Sequence, residues 1–404
     1  MLSVTEARER ILSQFKINST ETVSLIDAAG RILGADILAD GDYPPFDNSA
    51  VDGFALRTED TSASLVTLNV VADIPAGSAP TVTLQPGQAA RIMTGAQMPL
   101  GADCVVMVED TDFNVRSAGA TAPKTVTLSK QMRVGENVRP HGTDIHTGET
   151  VLTKGRTLKP QDLGLLASLG QAMVLVYKKA RVGLMSSGDE LLDVDAVLEP
   201  GKIRDSNTYA LASAIVNANA EVIRLGVARD TRESVTQLLD QAASENVDLI
   251  LSSAGVSVGA FDYIKEVIDA NGKMDFWRVN MRPGKPLAFG EYRGIPFIGL
   301  PGNPVSAFVG FEVFVRPVLE RLNGKMDGGR QTVRVRCEEE IESDGRESYL
   351  RARIQIKNGI RIAILTGHQG SGNLLSLVQA DALLIIPAGV KCVPAGSEVD
   401  AILL

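Results

Sequence analysis

The chain has 404 residues, of which 44% are hydrophobic and 22% charged, and its formal net charge is −9 at pH 7. This length predicts several domains rather than one core, and the acidic balance argues against a protein that binds nucleic acid through bulk charge. The N-terminus lacks the apolar core of a signal peptide, no apolar run approaches the roughly 20 residues of a membrane span, and three widely spaced cysteines favour a reducing compartment, so we expect a cytoplasmic protein without membrane partners.

The first domain is predicted to be discontinuous, formed by residues 1–44 and 145–179. It opens with an amphipathic helix whose capping box joins Ser3 to Glu6. Its second segment carries one further short helix, which begins at a proline and ends before a glycine.

Residues 45–144 read as a small β domain inserted into the first. Gly/Pro turns separate runs rich in β-branched residues. The predicted strands are 65–71, 88–93, 104–108 and 125–128.

Residues 180–325 alternate strands with helices, which predicts an α/β domain with a doubly wound, mostly parallel sheet and helices on both faces. The predicted strands are 181–186, 222–227, 247–252, a short one at Phe289, and 297–300; the predicted helices are 206–218, 231–244, 262–270 and 303–322. In such sheets ligands bind outside the carboxyl ends of the strands, so the polar loops that follow the strands are the candidate site.

Residues 249–263, LILSSAGVSVGAFDY, form the most informative of these loops. An apolar run breaks into serines and glycines and restarts as a helix. Small residues let backbone N–H groups approach an anion, and the helix N-terminus adds partial positive charge.

Residues 326–404 then return to strands and predict a compact C-terminal β domain, whose most unusual loop is GHQGSGN at 367–373.

Four carboxylates stand at predicted strand ends of the α/β domain, namely Asp189, Glu190, Asp230 and Asp262. Oxygen ligands that converge there suit Mg²⁺ bridging phosphates. Each of them can instead cap a helix, and this alternative stays open.

Two cations, Arg282 and Lys285, lie on the proline-bounded turn MRPGKP at 281–286. Fixed cations beside an acidic cluster suit an oxyanion held next to a metal–phosphate site. The alternative is an ordinary solvated turn.

Nine short motifs occur in one order along the chain: NSAVDGFA (48–55), RIMTGA (91–96), GTDI (142–145), SSGDEL (186–191), IRDSN (203–207), SSAGVSVGAFDY (252–263), RPGKP (282–286), GLPGNPVSA (299–307) and GHQGS (367–371). With these motifs the chain resembles the molybdopterin molybdenumtransferases of the MoeA type, which are similar to the E domain of gephyrin. The resemblance covers essentially the whole chain.

The resemblance implies an elongated homodimer of four-domain chains. It also implies a reaction in which adenylylated molybdopterin is cleaved in a step that depends on molybdate and a divalent cation, molybdenum enters the pterin dithiolene, and AMP leaves. The expected partners are a molybdopterin adenylyltransferase upstream and apo-molybdoenzymes or their chaperones downstream.

The resemblance also assigns residues. The expected metal and nucleotide ligands are Glu190, Asp230 and Asp262. The residues that match the molybdate pocket are Ser257, Lys285, Pro286, Arg351 and Ser371, and the turn adds Arg282 as a further cation for the oxyanion. Pro301 and Pro304 match the loop that shapes the cleft, and Asp52, Thr94, Arg139 and Asp144 match functional positions on the first two domains. Within this set, the catalytic residues are expected to be Asp262, Asp230, Glu190, Lys285, Asp52 and Asp144.

The sequence departs from the family pattern at two positions. Ala254 replaces a common glycine, which carries a steric penalty if the backbone there needs a positive φ. Arg282 replaces a common lysine, which keeps the charge but changes the donor geometry.

Three other functions remain open at this point. The chain can be a pterin-binding scaffold without catalysis, a nucleotidyltransferase that adenylylates molybdopterin, or a molybdate store. The retained carboxylates and Lys285 argue against the first, and the additional β domains argue against the second.

Overall fold

The structure is a computed structural model, and it describes residues 1–113, 121–254, 261–325 and 328–404 but not the side chains of Phe261, Asp262 and Trp277. Two units are separable by their internal contacts. The first comprises residues 1–35, 154–164 and 172–404, and the second residues 36–153 and 165–171. The predicted domain boundaries after residues 44, 144, 179 and 325 stay a prediction.

The α-helices of the described residues are α1 (Val4–Ser13), α2 (Pro160–Ser168), α3 (Asn207–Asn217), α4 (Arg232–Ser244), α5 (Phe261–Asn271), α6 (Pro304–Gly310), α7 (Arg316–Leu322) and α8 (Leu374–Val378). The capping box of α1 is confirmed, since Ser3 and Glu6 each accept a hydrogen bond from the other's backbone N–H. The predicted helix 303–322 is divided, because a π-helical turn at Phe311–Val315 separates α6 from α7. Within the described chain, no helix combines the length and the apolar character that crossing a membrane demands.

The α/β domain contains strands β1 (Arg181–Ser187), β2 (Glu221–Ala228), β3 (Leu249–Ser253), β4 (Gly272–Arg278), β5 (Pro286–Tyr292) and β6 (Ile295–Leu300). Their order across the sheet is β2-β1-β3-β6-β5-β4. The first four strands in this order run parallel, whereas β5 and β4 are antiparallel to their neighbours. A two-residue turn joins β5 to β6, and both of its residues, Arg293 and Gly294, have the positive φ that tight hairpins require.

Helices cover both faces of this sheet, which confirms the doubly wound prediction. One core contains Leu211 and Ile215 of α3 with Val305 of α6, and the buried residues of α1 extend it. A second core contains Leu239 of α4 and Ile264 of α5. β1 and β3 are buried along nearly their whole length, as parallel strands between two helical layers are.

The C-terminal sheet is formed by Thr332–Cys337, Glu347–Lys357, Ile360–Leu365, Ala382–Ile386 and Glu398–Leu403, and its edge is extended by the short strand Met281–Arg282. This short strand pairs in parallel with Glu347 and Ser348. The segment before β5 is therefore part of the C-terminal sheet. Three two-stranded sheets complete the described part of the unit. Two of them are short, Leu191–Leu192 with Ile203–Arg204 and Ile341–Glu342 with Cys392–Val393, and the longer one pairs Thr20–Ser24 with Met173–Tyr177.

The second unit is built on a five-stranded sheet of Gly53–Leu56, Val66–Ile74, Gln88–Ile92, Cys104–Met107 and Thr125–Leu128. The sequence patterns predicted four of these strands and missed Gly53–Leu56, which is fully buried and shows no alternation of polar and apolar residues. The short pairs are Ile37–Leu38 with Thr150–Leu152, and Asn48–Ser49 with Val138–Arg139.

A buried ion network lies at the π-helical turn of the first unit. The carboxylate of Glu312 is fully buried and accepts hydrogen bonds from Arg316 at 2.6 and 3.0 Å and from Arg330 at 2.8 and 3.1 Å. Burial acts to raise the pKa of Glu312, but the two guanidinium groups outweigh it, so the pKa lies below its ordinary value. Arg330 precedes the first strand of the C-terminal sheet, so this network anchors the connection between the two sheets.

We expect Glu312→Ala to lower the free energy of unfolding of the first unit by about 3–5 kcal/mol, because it leaves the buried Arg316 without a counter-charge. Thermal unfolding followed by circular dichroism measures the effect. Glu398→Ala is the matched control, since it removes a half-exposed pair with Arg336 at 3.8 Å. Equal shifts for both variants would contradict the expectation.

Candidate functional site

A cavity of about 870 Å³ lies at the carboxyl edge of the α/β sheet, within the first unit. The loops that follow β1, β2, β3 and β6 contribute to its wall, as does the segment before β5. Residues 346 and 369–371 of the C-terminal domain complete the described lining. The site therefore lies where doubly wound sheets bind ligands, beside the point at which the chain connections from β1 and β3 diverge.

The strand directions explain why these segments meet. β1, β2, β3 and β6 are parallel, so their last residues share one edge of the sheet. β5 is antiparallel to β6, with Ala288 opposite Gly299, so the first residue of β5, Pro286, lies at that same edge. The turn that carries Arg282 and Lys285 thus joins the edge where the carboxylates stand.

The structure brings most of the predicted first-unit residues to this one cavity: Glu190, Asp230, Arg282, Lys285, Pro286, Pro301, Pro304 and Ser371. Ser257 lies outside the described residues. Asp262 is in the first turn of α5, but its side chain is not described. These two assignments stay predictions.

Four further predicted residues, Asp52, Thr94, Arg139 and Asp144, lie in the second unit and form two pairs. Oδ1 of Asp52 accepts hydrogen bonds from the backbone N–H of Thr94 at 2.7 Å and from its hydroxyl at 2.8 Å. These bonds hold the pKa of Asp52 below its ordinary value. Arg139 forms an ion pair with Asp144. Each pair thus orients a carboxylate on the surface of this unit.

Like-charged carboxylates crowd one part of the cavity. Burial, followed by the charges of Asp189 and Glu190, raises the pKa of Asp230. Oδ1 of Asp230 is buried and has no hydrogen-bond partner among the described residues. Gly188 allows the close approach of Glu190, since a Cβ at Gly188 would lie 2.4 Å from Oε2 of Glu190.

These properties fit a divalent cation. An unpartnered carboxylate oxygen with a raised pKa is a group that a cation would stabilise in its charged form. The described side chains contain no group of three His, Cys, Asp or Glu residues arranged to hold a metal. Glu190 and Asp230 therefore supply only part of a ligand set.

A basic wall is formed by Arg282, Lys285 and Arg346. Sequence reasoning missed Arg346, because the surrounding turn SDGRES resembles an ordinary surface turn. Its position follows from the pairing of Met281–Arg282 with Glu347–Ser348, which places it beside Arg282. The place of Arg346 in the cavity wall thus depends on strand pairing between two domains, which no local pattern in the sequence indicates.

Arg351 lies behind the cavity rather than in its lining. Its side chain is fully buried and donates to Oγ of Ser376 at 3.1 Å and to the carbonyl oxygens of Gly370 at 3.0 Å and His368 at 3.4 Å. Burial, with a smaller contribution from Arg282, lowers the pKa of Arg351 to about 10. Arg351 therefore fixes the loop that presents Ser371.

Ala254 has a φ of +70°. Its N–H donates to the carbonyl of Leu300 at 3.0 Å, which joins the end of β3 to the end of β6. This is the left-handed conformation in which alanine is less stable than glycine. The steric penalty that we expected for alanine in place of glycine at a positive φ therefore applies to Ala254.

Asn207, within the IRDSN motif, also lines the cavity, although the sequence patterns assigned it no role. Its Nδ2 donates to Oγ of Ser253 at 2.8 Å and to the carbonyl of Gly302 at 2.7 Å. It therefore links the loops that follow β3 and β6. The neighbouring Asp205 caps the same helix, α3, since its Oδ1 accepts the N–H of Thr208 at 3.0 Å.

Three family models match the chain in sequence. Residues 2–170 match the MoeA N-terminal region (domain I and II), residues 183–321 a probable molybdopterin binding domain, and residues 334–404 the MoeA C-terminal region (domain IV). Together they span nearly the whole chain.

Full-length relatives agree with these matches. A molybdopterin molybdenumtransferase of Nostoc sp. is 40% identical over 94% of this chain and 88% of its own length. Molybdopterin molybdenumtransferase 2 of Mycobacterium tuberculosis is 39% identical over 99% of both chains. The crystal structure of a molybdopterin biosynthesis MoeA protein from Pyrococcus horikoshii matches with a TM-score of 0.81 and 30% identity over 100% of both chains.

We expect Asp230→Asn to stabilise the ligand-free protein at neutral pH. The raised pKa means that the folded state disfavours the charged carboxylate, so the penalty is present above the folded pKa and disappears below the ordinary value of 3.8. The gain in thermal midpoint should therefore be largest near pH 8 and shrink as the pH falls toward 4. Asp195→Asn, at an exposed aspartate, is the control, and a gain that grows on acidification would contradict the expectation.

We also expect Ala254→Gly to stabilise the protein by about 0.5–1 kcal/mol. Relief of the left-handed alanine is worth roughly 1–2 kcal/mol, and the greater freedom of glycine in the unfolded chain offsets about 0.4–1 kcal/mol of it. Ala212→Gly, inside α3, should instead destabilise by about 1 kcal/mol. Thermal unfolding of the two variants tests the pair, and loss of stability in both would show that Ala254 is not strained.

Proposed function

We propose a reaction for this chain from one premise: it belongs to the molybdopterin molybdenumtransferase family and is a transferase of molybdenum cofactor biosynthesis. The proposed reaction takes adenylylated molybdopterin and molybdate, inserts molybdenum into the pterin dithiolene and releases AMP. The product is the molybdenum cofactor.

The observation that carries the proposal is the separation of charge within one cavity. The carboxylates Glu190 and Asp230 follow β1 and β2, while the cations Arg282 and Lys285 precede β5. Three strand spacings separate β1 from β5 in the sheet order, or about 14 Å. Groups at these two strand ends are therefore far enough apart for two anions to bind side by side, with the pterin phosphates at one end and molybdate at the other.

At the acidic end, Glu190, Asp230 and Asp262 are proposed to hold a divalent cation such as Mg²⁺. A cation held by these residues would neutralise phosphate charge there, and an acidic protein could then accept an anionic substrate. The support for this assignment is the unpartnered Oδ1 of Asp230 and its raised pKa.

At the basic end, Arg282, Lys285 and Arg346 are proposed to bind molybdate, with Ser371 and Ser257 as neutral donors. Charge-assisted hydrogen bonds of this kind hold an oxoanion in a fixed orientation. The backbone turns at Pro286, Pro301 and Pro304 keep the wall rigid. Holding both anions at once is the main catalytic contribution of these residues.

The second unit and the partners complete the proposal. In a homodimer, Asp52, Thr94, Arg139 and Asp144 are proposed to serve the cavity of the other protomer. A molybdopterin adenylyltransferase would supply the substrate, and apo-molybdoenzymes or their chaperones would receive the product, all in the cytoplasm.

The experiment that tests the reaction is incubation of the purified chain with adenylylated molybdopterin, molybdate and Mg²⁺. AMP is quantified by chromatography and molybdenum on the pterin by mass spectrometry. Molybdate-dependent AMP release supports the proposal. Consumption of ATP instead would indicate an adenylyltransferase, and binding of molybdate or pterin without turnover would indicate a store or a scaffold.

We expect Asp262→Ala to lower turnover more than about a hundredfold, since a metal ion held on the phosphate would lower the barrier by several kcal/mol. Asp269→Ala is the matched control, because Asp269 is an exposed aspartate on the same helix, α5. Both variants should unfold at the wild-type temperature. Full AMP release by Asp262→Ala would overturn the assignment of this residue.

A further inference from the structure

We infer that Asp344 is a positioning residue for the oxoanion, acting through the two arginines of the basic wall. This inference rests on the proposed function, because it assumes that the basic wall binds molybdate. Asp344 is not itself part of the described lining of the cavity.

The contacts of Asp344 place its carboxylate between the two guanidinium groups. Oδ2 of Asp344 accepts from Nε of Arg346 at 3.0 Å and from Nη2 at 2.5 Å, and it lies 3.9 Å from Nη1 of Arg282. Nη1 of Arg346 donates to the carbonyl of Met281 at 3.2 Å. One N–H on each terminal nitrogen of Arg346 thus remains without a partner among the described residues, in a side chain that lines the cavity.

The turn that carries Asp344 is fixed at both ends. The N–H of Ser343 donates to the carbonyl of Lys391 at 2.8 Å, and the N–H of Gly389 donates to the carbonyl of Gly345 at 2.8 Å. Gly345 has a φ of +85°, which a residue with a side chain rarely adopts. The carboxylate is thus held on a rigid backbone, and the orientation it gives to Arg346 is fixed before any ligand binds.

Neutralising Asp344 would tighten anion binding if the residue acts through its charge, and would weaken it if the residue orients the arginines. Hydrogen bonds from Arg346, with further help from the charge of Arg282, hold the pKa of Asp344 below its ordinary value, so it is ionised at neutral pH. A negative charge beside a basic wall weakens the attraction of the wall for an anion. If Asp344 acted through charge alone, its neutralisation would tighten anion binding; if it orients the arginines, neutralisation weakens binding, because the ligand must then order two long side chains.

The test measures binding of inorganic molybdate to the full-length protein by titration calorimetry, and the Michaelis constants for molybdate and for adenylylated molybdopterin. We expect Asp344→Asn to raise the dissociation constant for molybdate about threefold to tenfold, which corresponds to loss of order in one or two side chains. The Michaelis constant for molybdate should rise in parallel, with kcat and the constant for the pterin nearly unchanged. A rise confined to the pterin constant would show that the arginines hold a substrate phosphate and would overturn the assignment to molybdate.

The matched control is Asp400→Asn, which neutralises a carboxylate 3.2 Å from Arg334 in the same C-terminal sheet and outside the cavity. Asp344→Glu should recover part of the affinity. In an Arg346→Lys background, which keeps the charge but removes the planar donors, Asp344→Asn should have a much smaller effect. This double variant tests the inference even if Asp344→Asn alone changes stability.

Unchanged or tighter molybdate binding by Asp344→Asn would overturn the inference while leaving the proposed function intact. Absence of molybdate binding by the wild-type protein would overturn the proposed oxoanion site and this inference together. The two failures are therefore distinguishable.

Discussion

β5 runs antiparallel to β6, and this pairing sets Pro286 beside the end of β6 at the carboxyl edge of the sheet. If β5 were parallel like the strands before it, its first residue would lie at the opposite edge, several residues of strand away from Asp230. The reversal comes from a two-residue hairpin turn at Arg293 and Gly294. A tight turn far from the cavity thus decides that cations and carboxylates share one site.

The cavity contains two unfavourable features that the stability of the rest of the fold must offset. Asp230 is held near two like charges, and Ala254 adopts a left-handed backbone. Both features are unfavourable in the ligand-free protein. Ala254 follows β3, which is buried between two helical cores, whereas Asp230 follows β2, the partly exposed edge strand of the sheet. The buried β3 is too closely packed to relax, so it can hold the strained backbone of Ala254 at its end. Under the proposed function, a cation bound beside Asp230 would remove this unfavourable charge interaction, so the stability lost in the ligand-free protein would favour binding.

The sequence predicted those elements that a local pattern specifies. The capping box of α1 and the strand–helix alternation of the α/β domain were confirmed, because each depends on residues only a few positions apart. β4 was missed, since its segment GKMDFWR mixes charges with large apolar residues and lacks a clean period of two. Arg346 was missed for a different reason, since its position depends on pairing between segments more than sixty residues apart. The sequence did not predict the positive φ of Ala254, because the identity of a single alanine does not indicate its backbone angle.

Arg351 shows how a residue contributes to a site from which it is excluded. The loop that presents Ser371 turns backbone carbonyls of His368 and Gly370 inward, and unsatisfied carbonyls in a buried position are costly. The guanidinium of Arg351 donates to both carbonyls and to the hydroxyl of Ser376, a geometry that the single ammonium of lysine does not reproduce, and Asn373 donates to the same two carbonyls. The cost of burying this charge appears in its pKa, which burial lowers to about 10, and the three acceptors offset part of that cost. Because Val305 in the first turn of α6 donates to the carbonyl of Ser371 at 3.1 Å, the loop is held from both sides. The position of Ser371 in the cavity therefore depends on the C-terminal sheet and on α6 together, so the α/β fold alone would not form this part of the site.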